Sequence, residues 1–309
     1  MQTQTIQELL LPLLKEEIGS NVEIANYKVV NQLHDYLVIL AQLDSPSIKV
    51  VIKLAGLEAL YDCPYDRVAA LHNLVTTQTA IPMPEIIAVD ITYQKWPWRY
   101  LIRVHAPGEE WAVVRHQMTA EQLSDAYHQI GRAVAQLHSI QFPSFGRLTA
   151  DAKIKQSQPY LPALQAHTGR IIKSKRLHHY FFTALNQYAP LFNDITTANL
   201  SHEDLHQHNI LFENRQGQWH LSTILDFDKA WAGHYESDLA RLDLWTEMTN
   251  EDFWQAYTAV RPVEPLYPQR RPIYQLLWCL EYAQPTAKHL ADTQQLCQEL
   301  GLPLIENFD

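Results

Sequence analysis

Apolar positions along the chain change period twice, and the changes divide it in two. Ile6, Leu9, Leu10, Leu13 and Leu14 recur at helical spacing and predict an amphipathic N-terminal helix. From about Val22 the spacing shortens to strands: residues 22–30 and 36–43 around Asn31–Asp35, then the alternating run 47–54, Ser-Ile-Lys-Val-Val-Ile-Lys-Leu. Pro64 suits the first turn of a helix reaching about Thr76, with Val68, Leu71, Leu74 and Val75 on its apolar face. Tyr100 to Val104 reads as a further strand, and Pro107-Gly108 as a turn beyond it. After that the pattern is mostly helical. Thr119-Ala-Glu-Gln122 is a capping box, and Leu123, Tyr127, Ile130, Val134 and Leu137 step by three and four behind it. Residues 151–198 predict one or two more helices, with Tyr180-Phe181-Phe182 expected in the core. Three others, near 251–260, 269–284 and 290–300, are separated by prolines at 262, 265, 268 and 285. The expectation is an α+β chain divided at residue 104, with strands prevailing in residues 1–104 and helices in residues 105–309.

Composition narrows the classes. The chain has 309 residues, 47% of them hydrophobic, enough for a packed protein with two lobes. No apolar run approaches the ~20 residues of a membrane helix, and the N-terminus lacks the basic region of a secretory signal. Three scattered cysteines, Cys63, Cys279 and Cys297, fit no disulfide framework and imply a reducing, cytoplasmic setting. The net charge of −10 argues against nucleic acid, whose binding depends on neutralising phosphates, and leans toward a cationic substrate.

The chemistry concentrates between Leu200 and Trp245. His202-x-Asp204 is followed by Asn209, the apolar run Ile210-Leu211-Phe212, a turn at Asn214–Gly217 and a second run ending in Asp226-Phe227-Asp228. Two short runs about a Gly-bearing turn predict a hairpin. Antiparallel pairing then brings Asn209 near Asp226, with Asp204 on the loop before. One Asn and one or two carboxylates form an oxygen-only set suited to Mg²⁺. A further carboxylate beside them can take a proton from a hydroxyl, as phosphoryl transfer requires.

The string HEDLHQHNILF…ILDFD…SDLA resembles the pattern of the aminoglycoside phosphotransferase and choline kinase family, small-molecule relatives of protein kinases. The resemblance implies a protein-kinase-like two-lobe fold, with an N-terminal antiparallel sheet plus helix for the nucleotide and a mostly helical catalytic lobe. It makes Asp204 the catalytic base, Asn209 and Asp226 the Mg²⁺ ligands, and Asp228 a second acidic group at the metal or substrate. His202 would hold the loop by a hydrogen bond, and Asp238 would be a structural prop or helix N-cap. His138 is read as a packing residue. Glu203 and His208 stand where the family usually has Gly. In such a lobe a third-strand Lys grips the nucleotide phosphates, here Lys53, and a carboxylate on the following helix holds that Lys, here Asp66. The backbone between Ile102 and Val104 would meet the base of ATP or GTP.

Two sequence features favour a small hydroxyl acceptor. The loop between the first two strands has no Gly, and only eight residues, Lys229 to Glu236, separate Asp228 from the next helix, without Ala-Pro-Glu. From Asp226 to Asp252 there are eight acids and two bases, Lys229 and Arg241, together with Trp231 and Trp245; Trp254 follows. They read either as a site for a cationic acceptor such as an aminoglycoside or as a solvated acidic face over core tryptophans. Carboxylates at Glu306 and Asp309 are a further candidate contribution to that pocket. Two rival readings remain: a kinase-like nucleotide-binding protein without transfer, and an HExxH zinc protease, since His202-Glu203-Asp204-Leu205-His206 satisfies that motif.

Overall fold

The computed structural model describes residues 3–60, 62–244 and 248–309. Helix α1 (Thr3–Glu17) precedes β1 (Glu23–Leu33), β2 (Tyr36–Ser45) and β3 (Ile48–Ala55); α2 (Tyr65–Gln78) leads to β4 (Ile86–Asp90) and β5 (Arg99–Val104). These strands form one antiparallel sheet in the order β1-β2-β3-β5-β4. Strand alternation decides what each face meets. Leu37, Ile39, Leu54 and Ile52 bury against Ile6, Leu10, Leu13 and Leu14 of α1, while Ala55 and Leu101 bury with Tyr65 and Val68 of α2. Lys53 shares the second face, the one turned toward α2.

The hairpin β1–β2 is tighter than the expected five-residue loop, because β1 continues to Leu33, opposite Tyr36. His34 takes the left-handed conformation (φ 46°) and the Asp35 carbonyl accepts the Gly56 N–H at 2.8 Å, so no glycine is needed in that turn.

Past β5 come β6 (Glu109–Glu110), α3 (Trp111–Val114), α4 (Ala120–Ser139), β7 (Gln141–Phe142), α5 (Tyr160–Ile171), α6 (Lys175–Gln187), β8 (Ala198–Ser201), β9 (Ile210–Arg215), β10 (Gln218–Ile224), β11 (Trp231–Gly233), α7 (Glu236–Leu244), α8 (Glu251–Val260), α9 (Tyr267–Tyr282) and α10 (Ala287–Glu299). The helices surround two small sheets, β10-β9-β6 and β11-β8-β7. The capping box of α4 forms, with Thr119 Oγ1 and Gln122 Oε1 each accepting the other's backbone N–H. Its stripe is buried from Tyr127 to Leu137 against α8. At Gly131 a Cβ would lie 2.4 Å from the Phe253 carbonyl, so this close helix approach requires glycine. Helix α9 starts at Tyr267, two residues before the expected 269, because Pro268 fits its first turn. Phe181 alone of the aromatic run is fully buried. Leu71 and Val75 of α2 join the large core of the helical lobe, so α2 ties the two lobes together. Among the described residues no helix is long and apolar enough to cross a membrane.

Candidate active site

The hairpin β9–β10 turns through Gln216 and Gly217, both at positive φ (55° and 87°), and pairs Ile210 with Ile224. That register continues outward: the Leu225 N–H donates to the Asn209 carbonyl at 2.8 Å, leaving Asn209 beside the start of the 226–228 turn. Asp226 itself is left-handed (φ 71°, ψ 60°), which ends the strand and opens a short 3-10 turn at Phe227–Lys229.

Asp238, in the first turn of α7, anchors the loop after β8. Its carboxylate is wholly buried and accepts from the backbone N–H of His202 (2.6 Å), from that of Glu203 (2.8 Å) and from His138 Nε2 (3.1 Å). Burial alone would raise this carboxyl, yet His138 first, and then His202, hold it below the ordinary carboxylate range. The two backbone bonds allow Glu203 its positive φ of 66°. His202 accepts the Asp204 N–H on Nδ1 (3.2 Å) and donates Nε2–H to the Leu225 carbonyl (2.9 Å), joining the 202–209 loop to the approach to Asp226.

Asp204 Oδ1 accepts from Arg241 Nη2 (2.7 Å), the Tyr282 hydroxyl (3.0 Å) and Lys229 Nζ (3.4 Å). Burial pushes this carboxyl up, but Arg241, then Lys229, keep it below its ordinary value, so it is an anion at neutral pH. Asn209 Nδ2 donates to the Asp204 carbonyl at 2.9 Å. Lys53 Nζ donates to Asp226 Oδ1 at 3.1 Å and lies 3.9 Å from Asp228 Oδ1, although 173 residues separate Lys53 from Asp226 in sequence. Burial disfavours the Lys53 charge, but Asp228 and Asp226 outweigh it and hold the ammonium protonated. The Asp228 carboxyl is pushed up to about 6, by burial first, and its Oδ1 is buried without a hydrogen-bond partner. Lys53, Asp204, Asn209, Asp226 and Asp228 therefore converge from β3, the loop after β8 and the end of β10.

Several expected contacts are different. Asp66 does not hold Lys53; its Oδ1 accepts the Arg67 N–H at 2.8 Å, and the ion pairs of Lys53 are with Asp226 and Asp228. Asp66 sits in the first turn of α2, where local N–H groups are nearer than the sheet. Ile102 and Val104 do not offer free N–H groups to a base. Ile102 lies inside the sheet between Ile52 and Ala88, and the Val104 N–H donates to the Glu85 carbonyl at 2.9 Å. The Val104 carbonyl accepts from Arg103 Nη1, and the His105 N–H is bound to Lys49. The 202–206 segment is a loop, so its two histidines share no helix face, and both His202 nitrogens are engaged; a zinc-protease site is ruled out by that geometry.

Several acids and tryptophans of the 226–254 stretch are engaged within the fold, as the second of its two readings has it. Glu236 is paired with Arg270 by two bonds of 2.6 Å, Asp243 with Arg271 at 2.9 Å, and Asp238 serves the loop. Trp231 is buried, and Trp254 packs against Phe253 and Tyr257. Trp245 and Glu247 lie outside the described residues. The C-terminal tail is tied to α6, where Arg176 donates to the Asn307 and Asp309 carbonyls. Arg241, Lys229, Glu281 and Tyr282 belong to the site without having been singled out by motif. The one available signal was that Lys229 and Arg241 are the two bases in a strongly acidic stretch.

A five-stranded antiparallel sheet with a bridging helix, a helical second lobe and acidic side chains at their junction define a kinase-like fold. The chain belongs to the phosphotransferase enzyme family, whose model matches residues 27–273. No curated protein matches the chain. Among solved structures it is similar to a Thermobifida fusca protein assigned as a fructosamine-3-kinase, at 18% identity and a TM-score of 0.65, covering 94% of this chain and 98% of that one. It is similar to Plasmodium vivax ethanolamine kinase at 13% identity and a TM-score of 0.62, covering 98% and 89%. It also resembles a thermostable mutant of the aminoglycoside phosphotransferase APH(4)-Ia, in complex with ADP and hygromycin B, at 13% identity and a TM-score of 0.61, covering 95% and 97%.

Proposed function

We propose that this enzyme transfers the terminal phosphoryl group of ATP or GTP to a hydroxyl of a small molecule, with Mg²⁺ as the metal. The observation that carries the reading is the convergence of Lys53, Asp204, Asn209 and Asp226 through direct contacts. Residues up to 104 would grip the nucleotide, and residues from 105 onward would supply the catalytic loop and the acceptor site.

The donor set fits a hard cation. Asn209 turns its amide nitrogen to Asp204, which leaves the amide oxygen for a ligand, and Asp226 and Asp228 add carboxylate oxygens, one of them buried without a hydrogen-bond partner. Bound there, Mg²⁺ would neutralise charge on the phosphate oxygens. Lys53 supplies a fixed positive charge beside those ligands, available to the triphosphate. Asp204 keeps one oxygen occupied by Arg241, Tyr282 and Lys229 and has the other to orient an acceptor hydroxyl. As the acceptor oxygen bonds to the terminal phosphorus, the bridging P–O bond breaks, nucleoside diphosphate leaves, and the hydroxyl proton passes to Asp204. A carboxylate held this far toward the anion is a weak base, so its main contribution is orientation, with proton transfer late. The short connection from Asp228 to α7 leaves no peptide-holding segment, which supports a small acceptor. All three cysteines are free and buried, in keeping with a reducing, cytoplasmic setting.

The test is Asp204→Asn, assayed by coupled nucleoside diphosphate release in Mg²⁺. Turnover should fall at least a hundredfold while nucleotide still raises the melting temperature. Turnover close to wild type would reject Asp204 as the group that orients the nucleophile.

A further inference from the structure

The cleft of about 930 Å³ that contains Asp204, Asp226 and Asp228 is also lined by the bases Arg67, Arg147, Arg170 and Lys173. Its carboxylates are already engaged, Asp204 by Arg241 and Lys229, Asp226 and Asp228 by Lys53, and Glu281 by Lys229. Asp62 meets Arg147 at 2.7 Å, at a pair of partly exposed side chains. Arg67 is 7% exposed, gives Nη2 to the Asp228 carbonyl at 2.7 Å, and has a buried Nε with no hydrogen-bond partner. Burial first, then the guanidiniums of Arg147 and Arg67, lower the Arg170 pKa, which shows that the three groups feel one another.

A chain of buried contacts stands behind Arg170. Arg170 Nη2 lies 3.4 Å from His167 Nδ1; His167 stacks on Trp231 (4.2 Å between centroids, 4° between planes) and meets Glu203 Oε2 at 3.2 Å. Glu203 is itself buried and accepts from Ser201 Oγ at 2.5 Å. The Glu203 carboxylate thus supports the chain of contacts that ends at Arg170.

We propose that the acceptor is a hydroxyl compound carrying an anionic group, a carboxylate or a phosphate, which Arg67, Arg147 and Arg170 recognise while Asp204 faces its hydroxyl. The proposal rests on the phosphotransferase reading for the role of Asp204, and on the cavity alone for the anion. Guanidinium forks match both anions by paired hydrogen bonds. A polycationic acceptor would meet like charge at these guanidiniums.

The test uses one hexose frame in four charge states: glucose, glucosamine, glucuronate and glucose 6-phosphate. Binding to the full-length protein is measured by calorimetry and thermal shift, with a non-hydrolysable nucleotide analogue and Mg²⁺ present to fill the donor site. Glucuronate, glucose 6-phosphate or both should bind at least tenfold more tightly than glucose and glucosamine, and which of them wins identifies the anion. Arg147→Gln/Arg170→Gln, two residues at the rim of the cleft, should remove that preference while the protein still melts cooperatively. Equal binding of all four sugars, tighter binding of glucosamine, or a preference unchanged in the double variant would overturn the proposal. So would a double variant that loses affinity for the nucleotide analogue alone, since the guanidiniums would then serve the donor. Failure of the phosphotransfer reading shows separately, as nucleotide turnover insensitive to Asp204→Asn, and leaves the anion result standing.

Discussion

Arg241→Met tests how the charge of Asp204 is maintained. Arg241 is buried, lies over the rings of Trp278 (4.7 Å) and Tyr282 (4.9 Å), and donates to Asp204 Oδ1 at 2.7 Å and to the Glu203 carbonyl at 3.1 Å. Of the groups that lower the Asp204 pKa it ranks first, ahead of Lys229. Methionine keeps much of the apolar stem and removes the cation. Breaking a buried ion pair by deleting one partner costs about 3–5 kcal/mol. The variant recovers some of that by letting Asp204 take up a proton, because burial now acts on it with less opposition. The sign follows. A carboxylate held low is active down to low pH in the wild type; in the variant the acid limb of kcat/KM moves upward. Since one pKa unit is about 1.4 kcal/mol, a loss of about 3–5 kcal/mol is about two to four units, and the ratio of kcat/KM at pH 8 to that at pH 5.5 should grow severalfold over wild type. Steady-state rates across that range, with melting curves at each pH to confirm folding, provide the measurement. An acid limb that stays in place would mean that Arg241 does not set the state of Asp204.

Asp238→Asn should destabilise the protein, because an amide cannot accept from both backbone N–H groups and His138. Each buried donor left unsatisfied costs about 1–3 kcal/mol; a loss near 3 kcal/mol lowers the melting temperature of a 309-residue chain by about 5 °C, and a shift under about 1 °C would refute the anchoring role. His72 lies against Phe227 with a buried Nδ1 that has no partner, and burial, then Arg103, lower its pKa to about 4. The unfolded chain takes up that proton near pH 6.5 and the native state does not, so stability falls as pH drops from 6.5 toward 4. Between pH 7 and 5 this group accounts for about 2 kcal/mol of the loss; denaturant melts of His72→Gln should show a correspondingly flatter pH dependence.

Local pattern was enough for much of this molecule. Period-two alternation placed β2 and β3 within two residues at either end, the capping box placed α4, and the Gly-bearing turn placed the hairpin β9–β10. Those features depend on side chains and backbone groups within a few positions of each other, so one stretch of sequence contains their cause. The hairpin also made the nearness of Asn209 and Asp226 readable in advance. Partner choice was not readable. Lys53 finds Asp226 and Asp228 instead of Asp66, the acids from Glu236 to Asp243 pair with Arg270, Arg271 and the loop, and the bases at 67, 147 and 170 line the same cleft as Asp204. Which of many carboxylates a buried cation meets depends on packing between α2, α5, α7 and α9, elements far apart in the chain. Desolvation penalises every alternative by similar amounts, so sequence alone ranks none of them first. A net charge of −10 is a sum over the whole surface; which charges line the cleft is decided by the fold.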